Sequence, residues 1–190
     1  MHFHLSANAA HDLKIKNFAP TSKDDAASAQ HWYIHRVIVQ RRKQVIVMEA
    51  KSRYALVFCG VTKPFFDNFT GIFADTLWRH IVSLCEVPDA EWGRVRDITA
   101  AMCAKPIHHK GLDRSLQAHI KDAAMQMEWR MELGELPPVV TDPGQLFGLS
   151  FFINETPRTR HGEKQCIFPY QEFQRMWAEK LGLDTQQYTS

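Results

Sequence analysis

What this chain has little of narrows it first. Its 190 residues hold four cysteines, Cys59, Cys85, Cys103 and Cys166, widely spaced and with no CxxC pair. A secreted disulfide scaffold sets cysteines closer and in pairs. These read instead as reduced, mostly buried thiols of a cytoplasmic protein. Net charge is scarce at +2, so nucleic-acid binding would have to rest on local clustering. No apolar run reaches the length of a membrane span, and Met1-His2-Phe3-His4-Leu5 lacks the apolar core of a signal peptide. No membrane partner is expected. GxGxxG, Walker, GxSxG and HExxH signatures are all missing. No cofactor and no metal is expected, and the balance leans away from an enzyme.

What is present suits an ordinary globular core. Hydrophobic residues make up 45% and charged residues 23%, with twelve Phe, five Trp and seven Met. That composition argues against disorder of the whole chain. One domain is expected over 1–183, followed by a polar tail over 184–190.

Residues 1–5 read as a short strand with His2 and His4 on one face and Phe3 and Leu5 on the other. A long exposed loop follows over 17–31, rich in Pro, Ser, Thr and Asp. Three β-branched and aromatic runs, 32–40, 44–48 and 54–59, have short connections and predict an antiparallel meander. Helical spacing then links Phe66, Phe69, Phe73, Leu77, Ile81 and Leu84, with Pro64 in a first turn and Gly71 as a candidate split. Another helix carries Trp92, Val95, Ile98 and Met102. Residues 105–111 read as a break, and 113–133 as a long amphipathic helix built on Leu116, Ile120, Ala123, Met127 and Met131. The run 146–153 reads as a late strand, and Pro169 to Gly182 as a last helix. The expected class is α+β, an antiparallel sheet of four or five strands packed against three or four helices.

Three features could carry chemistry. Ten histidines tempt a metal reading; three of His2, His4, His31 and His35 could converge if their strands were neighbours, but no ligand spacing supports a site. The loop His108-His109-Lys110, with Arg114 and Ser115 in the next helical turn, could hold an anion or provide an acid or base, joined by Asn154 or His161. The simpler account is a capped helix start. The meander gathers Arg36, Arg41, Arg42, Lys43, Lys51 and Arg53 beside Trp32, Tyr33 and Tyr54, a pattern compatible with single-stranded nucleic acid and equally with solvated charges guarding a sheet edge.

The order of features is itself informative. Trp32, the Arg42-Lys43 turn, Lys51-Ser52-Arg53-Tyr54, Asp113-Arg114-Ser115 and Asn154-Glu155-Thr156-Pro157 together resemble an uncharacterised bacterial family of small accessory or mobile-element proteins. The chain departs from that pattern at Trp32-Tyr33, Ala118 and Lys121-Asp122. The resemblance implies an uncharacterised cytoplasmic protein and assigns no roles. The expected function is a non-catalytic interaction module with an unknown protein partner or a second copy of itself. The alternatives are a small-ligand protein or enzyme with its site at the 105–115 loop, and nucleic-acid binding through the 36–53 meander. Nucleic acid is the less favoured partner.

Overall fold

The run His31–Val39 alternates its side chains between two faces, so it needs cover on both. It forms strand β2 of a five-stranded sheet in the computed structural model, which describes residues 1–20, 30–160 and 165–183. The sheet order is β4-β3-β2-β1-β5. Strand β1 spans His2–Leu5, β3 Arg42–Glu49, β4 Ala55–Phe58 and β5 Ile107–Lys110. The meander β2-β3-β4 is antiparallel as its short connections require. Gln40 and Arg41 turn the first hairpin, both at positive φ (46° and 61°), the turn whose twist matches the strands it joins.

The sheet is mixed, which corrects the expectation of an antiparallel one. Strand β1 runs parallel to β2 on one side and to β5 on the other. Two long crossovers make this possible: α1 (Ala7–Asp12) with the following segment, and the helices between β4 and β5. The expected break at 105–111 contains β5. Ile-His-His-Lys has no strand signature of its own; it is held by pairing with β1, with Ile107 N–H donating to the Met1 carbonyl and Gly111 N–H to that of Leu5.

Helices cover both faces. On one, Phe3, Leu5, Trp32, Ile34, Val47, Tyr54, Leu56 and Phe58 pack against α1, α2 (Lys63–Asp67), α3 (Phe69–Leu84), α4 (Trp92–Cys103) and α7 (Pro169–Leu181). On the other, Ile46, Met48, Ala55 and Val57 meet the apolar stripe of α5 (Arg114–Glu132) and Leu149 and Ile153 of α6 (Pro143–Glu155). Seven α-helices stand among the described residues, more than the three or four expected. The helix break near Gly71 comes at Asn68 instead, and Gly71 lies inside α3.

The most instructive correction is α6. Leu146 to Ile153 was expected to be a strand and is helical. An apolar run without alternation cannot be told from a buried helix by periodicity. The deciding signal is upstream: Asp142 accepts from Gln145 N–H at 2.7 Å, and Pro143 takes the first helical turn, the capping chemistry of a helix start. Helix α6 lies along the free edge of β4. Asn154 accepts from Ala55 N–H at 2.7 Å and donates to the Ala55 carbonyl at 2.8 Å, and the Ser150 hydroxyl accepts from Val57 N–H at 3.2 Å. Side chains thus occupy the edge hydrogen bonds that a sixth strand would have filled.

A small β6–β7 ladder (Arg158–Thr159 with Cys166–Ile167) leads into α7, which ends at Gly182 with φ 71° as its position after the last helical turn requires. The tail 184–190 lies outside the described residues.

Candidate ligand site at the strand ends

Where two neighbouring parallel strands send their chains to opposite faces, a crevice opens beyond their carboxyl ends. Strands β1 and β5 meet that condition. After β1 the chain enters α1, whose Ala9 and Ala10 belong to one core. After β5 it enters α5, whose Leu116 and Ile120 belong to the other. A crevice of about 850 Å³ lies there, lined by Leu5, Ala10, Ile15 and Phe18 among the apolar groups and by Ser6, His11, Lys14, Lys16, His35, Lys110, Gly111 and Gln117 among the polar ones. That volume falls in the usual range for small-molecule sites.

Each lining group is placed by a local reason. Ser6 caps α1, its hydroxyl accepting from Ala9 N–H at 3.3 Å. Gly111 is needed where β5 leaves the sheet, because a Cβ there would stand 3.2 Å from the Leu5 carbonyl oxygen. Gln117 donates to the Gly111 carbonyl at 2.8 Å, pinning α5 to the strand end. Among the described residues no carboxylate lines the crevice, while Lys14, Lys16 and Lys110 stand around it. Lys14 pairs with Asp67 at 3.1 Å, and the Lys110 ammonium lies 6.0 Å from the Phe18 ring centre. His35 adds a ring that burial holds below the usual histidine pKa, so it is neutral at pH 7; its Nε2 has no hydrogen-bond partner among the described residues. The crevice therefore combines apolar walls, a cationic rim and one neutral imidazole.

Behind it the same parallel strands carry a histidine array. His2, His4, His31 and His109 come together as the two-residue period of their strands dictates. His2 Nδ1 and His109 Nε2 are 2.9 Å apart, as are His4 Nε2 and His31 Nδ1. His4 also stacks on Tyr33, with ring centres at 4.4 Å, and on His109 at 4.8 Å. In each close pair one ring donates and the other accepts, so the accepting ring is neutral. Burial and the neighbouring imidazoles push His4 down to about 4. Among the described residues no group of three or more histidine, cysteine or acidic side chains is arranged to hold a metal ion.

The residues singled out at 105–115 do not gather at one point. His109 joins the array, whereas His108 faces the opposite side of the sheet beside Phe3. Lys110 lines the crevice. Asp113 caps α5, accepting from Leu116 N–H at 3.0 Å, and Arg114 and Ser115 sit in the turn that follows. Asn154 is fully buried on the β4 edge, and His161 lies outside the described residues. The basic meander is likewise divided. Arg36 and Lys43 share Asp12 at 3.0 and 2.9 Å, Arg41 and Arg42 are exposed at the hairpin, and Arg53 is buried at the far end of β3. Asp12 removes two of the hairpin-end charges from any phosphate surface.

Sequence reasoning missed Ser6, His11, Ile15, Lys16 and Phe18. The signal was the alternation Lys14-Ile15-Lys16, which gains meaning only once β1 is known to be parallel to β5.

A family model described as Domain of unknown function (DUF6933) covers residues 2–172. No curated protein and no solved structure matches.

Proposed function

We propose that this chain, which belongs to the DUF6933 family of domains of unknown function, is a small-molecule-binding protein whose ligand is an apolar or aromatic compound carrying an anionic group. The observation that carries this reading is the crevice of about 850 Å³ at the ends of β1 and β5, apolar within and lined by Lys14, Lys16 and Lys110, with no carboxylate among its described lining residues. An aromatic body would lie against Ile15 and Phe18, and the anionic group would face Lys16 and Lys110. The buried cysteines Cys59, Cys85 and Cys103 are all free thiols, which supports a reducing cytoplasm as the setting of an accessory bacterial protein.

The test uses anilinonaphthalene sulfonate as probe, with uncharged anilinonaphthalene as its neutral counterpart. One saturable site on the native protein is expected. Ala7→Trp, at an exposed position lining the crevice, should weaken binding at least tenfold without lowering stability. The double change Lys16→Ala, Lys110→Ala should weaken the sulfonate several-fold and leave the neutral compound nearly unaffected. Sulfonate binding of equal strength in the wild type and in Ala7→Trp would refute the assignment.

A second reading rests on a separate observation. Met125, Trp129 and Leu133 recur every fourth residue along α5 and are each more than half exposed. Such a stripe can pair with its own copy across a two-fold axis, because one patch serves both sides. Sedimentation should then show a concentration-dependent dimer that Trp129→Asp abolishes. A wild-type monomer up to roughly millimolar concentration, where even weak pairing is populated, would remove this reading.

A further inference from the structure

The crevice at the strand ends does not stop at Leu5. Side chains two residues apart on a strand share a face, so Phe3 stands beside Leu5 on β1 and His108 beside Lys110 on β5, each pair about 7 Å apart along its strand. Leu5 and Lys110 line the crevice. Phe3 and His108 line an inner chamber of about 190 Å³ on the same face of the sheet. Leu13 and Ile15 reach it from the segment after α1, Ile34 from β2 and Phe69 from α3. Ile15 lines both cavities and is the wall they share. It is half-buried on a stretch outside helix and strand, where a change of rotamer moves a side chain aside without disturbing an element. The stretch itself is tied down. Ile15 N–H donates to the Ala10 carbonyl at 2.9 Å, Lys14 pairs with Asp67 at 3.1 Å, and Ala19 N–H donates to the His108 carbonyl at 2.8 Å.

The inner end differs in chemistry from the outer one. Lys16 and Lys110 flank the crevice, whereas the chamber carries the Asp67 carboxylate and the uncharged polar groups of Asn68, Thr70 and His108. Lys14 already compensates Asp67, so the chamber has no strong pull on a cation, and a second carboxylate there would meet a like charge. His108 is the group available to a ligand. It is half-buried, lines the chamber, and sets its ring against Phe3 with centres 6.3 Å apart. Burial, and then the neighbouring His109, hold it below the usual histidine pKa. At pH 7 its imidazole is therefore neutral, with one nitrogen to donate a hydrogen bond and one to accept.

We propose that the ligand of the strand-end crevice is an elongated monoanion whose apolar chain continues past Ile15 into the inner chamber and ends there in a hydroxyl group held by His108. This rests on the crevice being a ligand site and names the shape and the far end of what it takes. The lysines and Asp67 fix the orientation, with the anionic group at the rim and the neutral group within. Ile15 is then a specificity-determining residue, because its side chain decides how far along Leu5 and Phe3 the chain can pass.

The experiment is calorimetric titration of the full chain at pH 7.5 with octanoate, ω-hydroxyoctanoate and octanedioate. ω-Hydroxyoctanoate should bind one site several-fold more tightly than octanoate, the scale of one added hydrogen bond. Octanedioate should bind more weakly than either, because its second carboxylate would face Asp67. His108→Phe keeps a ring against Phe3 and should remove the advantage of the hydroxyl while costing octanoate little, a split that a merely structural role would not produce. Asp67→Asn, at a half-exposed position, should strengthen octanedioate several-fold and keeps the test decisive if His108→Phe folds poorly. Ala7→Trp should weaken all three, since they enter through the crevice. Anilinonaphthalene sulfonate on the wild type reports on the crevice by itself. If it binds there while ω-hydroxyoctanoate holds no advantage over octanoate, or keeps that advantage in His108→Phe, the chamber is overturned and the crevice stands. If neither the sulfonate nor any chain binds, both fall. Octanedioate binding as tight as that of ω-hydroxyoctanoate would also overturn the neutral far end.

Discussion

Asn154→Ala should destabilise the protein by about 3–4 kcal/mol, the sum for two buried backbone groups stripped of their partners at roughly 1–3 kcal/mol each. The side chain satisfies both outward-facing groups of Ala55, and neither water nor another strand can replace it, because Asn154 and Ala55 are both completely buried. The urea midpoint should fall with an unchanged slope, the signature of lost stability in an intact fold. Ser150→Ala, which removes only the acceptor for Val57 N–H, should lose about 1–2 kcal/mol. A change below about 0.5 kcal/mol for Asn154→Ala, the range of a neutral surface substitution, would mean that the β4 edge is not sealed by α6.

Acid should unfold this protein well above the range in which its carboxylates titrate. His4 is held down to about 4 by burial and by His109, His31 and His2, and His80, buried against the Tyr54 hydroxyl at 2.8 Å, is pushed down to about 3 by burial. Both ionise near 6.5 in the unfolded chain. Depressed histidines bind protons in the unfolded state first, so their stabilisation is complete above pH 6.5 and is lost as pH falls through the folded values. For His4 alone the loss between pH 6.5 and 4 is about 3 kcal/mol, a large share of a typical domain's stability. His35, His108 and His119 are shifted in the same direction by burial. Glu49 runs the other way, because burial raises it, and its protonation opposes the loss. Urea unfolding at pH 7.5, 6 and 5 should therefore give steadily falling free energies. His4→Phe, which keeps a ring against Tyr33, should flatten that slope by close to one proton. Equal stability at pH 7.5 and 5 would contradict neutral burial of His4 and His80.

Much of this molecule could be read in its residues, and the failures have physical causes. Phe69, Phe73, Ile81, Leu116 and Ile120, which helical spacing sets on apolar faces, are all buried, because periodicity reports burial directly. The meander was legible from its short connections. The parallel pairing of β1 was not. Four residues ahead of a long crossover carry no mark of direction, and β5, two of whose four residues are histidines, has only Ile107 as a strand former. Helix α6 was missed because a run apolar on every side carries no period. The candidate site suffered from the same gap. Lys110 was singled out as a ligand contact and does line the crevice. Its neighbours in space, at 5–18 and 35, are assembled by strand order alone, and no local pattern announces strand order. Arg53 was grouped with Arg41 and Arg42 by proximity in sequence, although β3 carries them to opposite ends of the sheet.

Nuclear magnetic resonance titration of the full chain with anilinonaphthalene sulfonate tests the central claim most directly. Amide shifts should move in a compact set over residues 5–18, at His35 and over 110–117, the groups that line the strand-end crevice, and should saturate together. They should stay still at Lys51 to Arg53, in the turn between β3 and β4, and at Met125 and Trp129 on α5. Shifts centred on the α5 stripe, or scattered over the surface without saturation, would contradict a ligand site at the ends of β1 and β5.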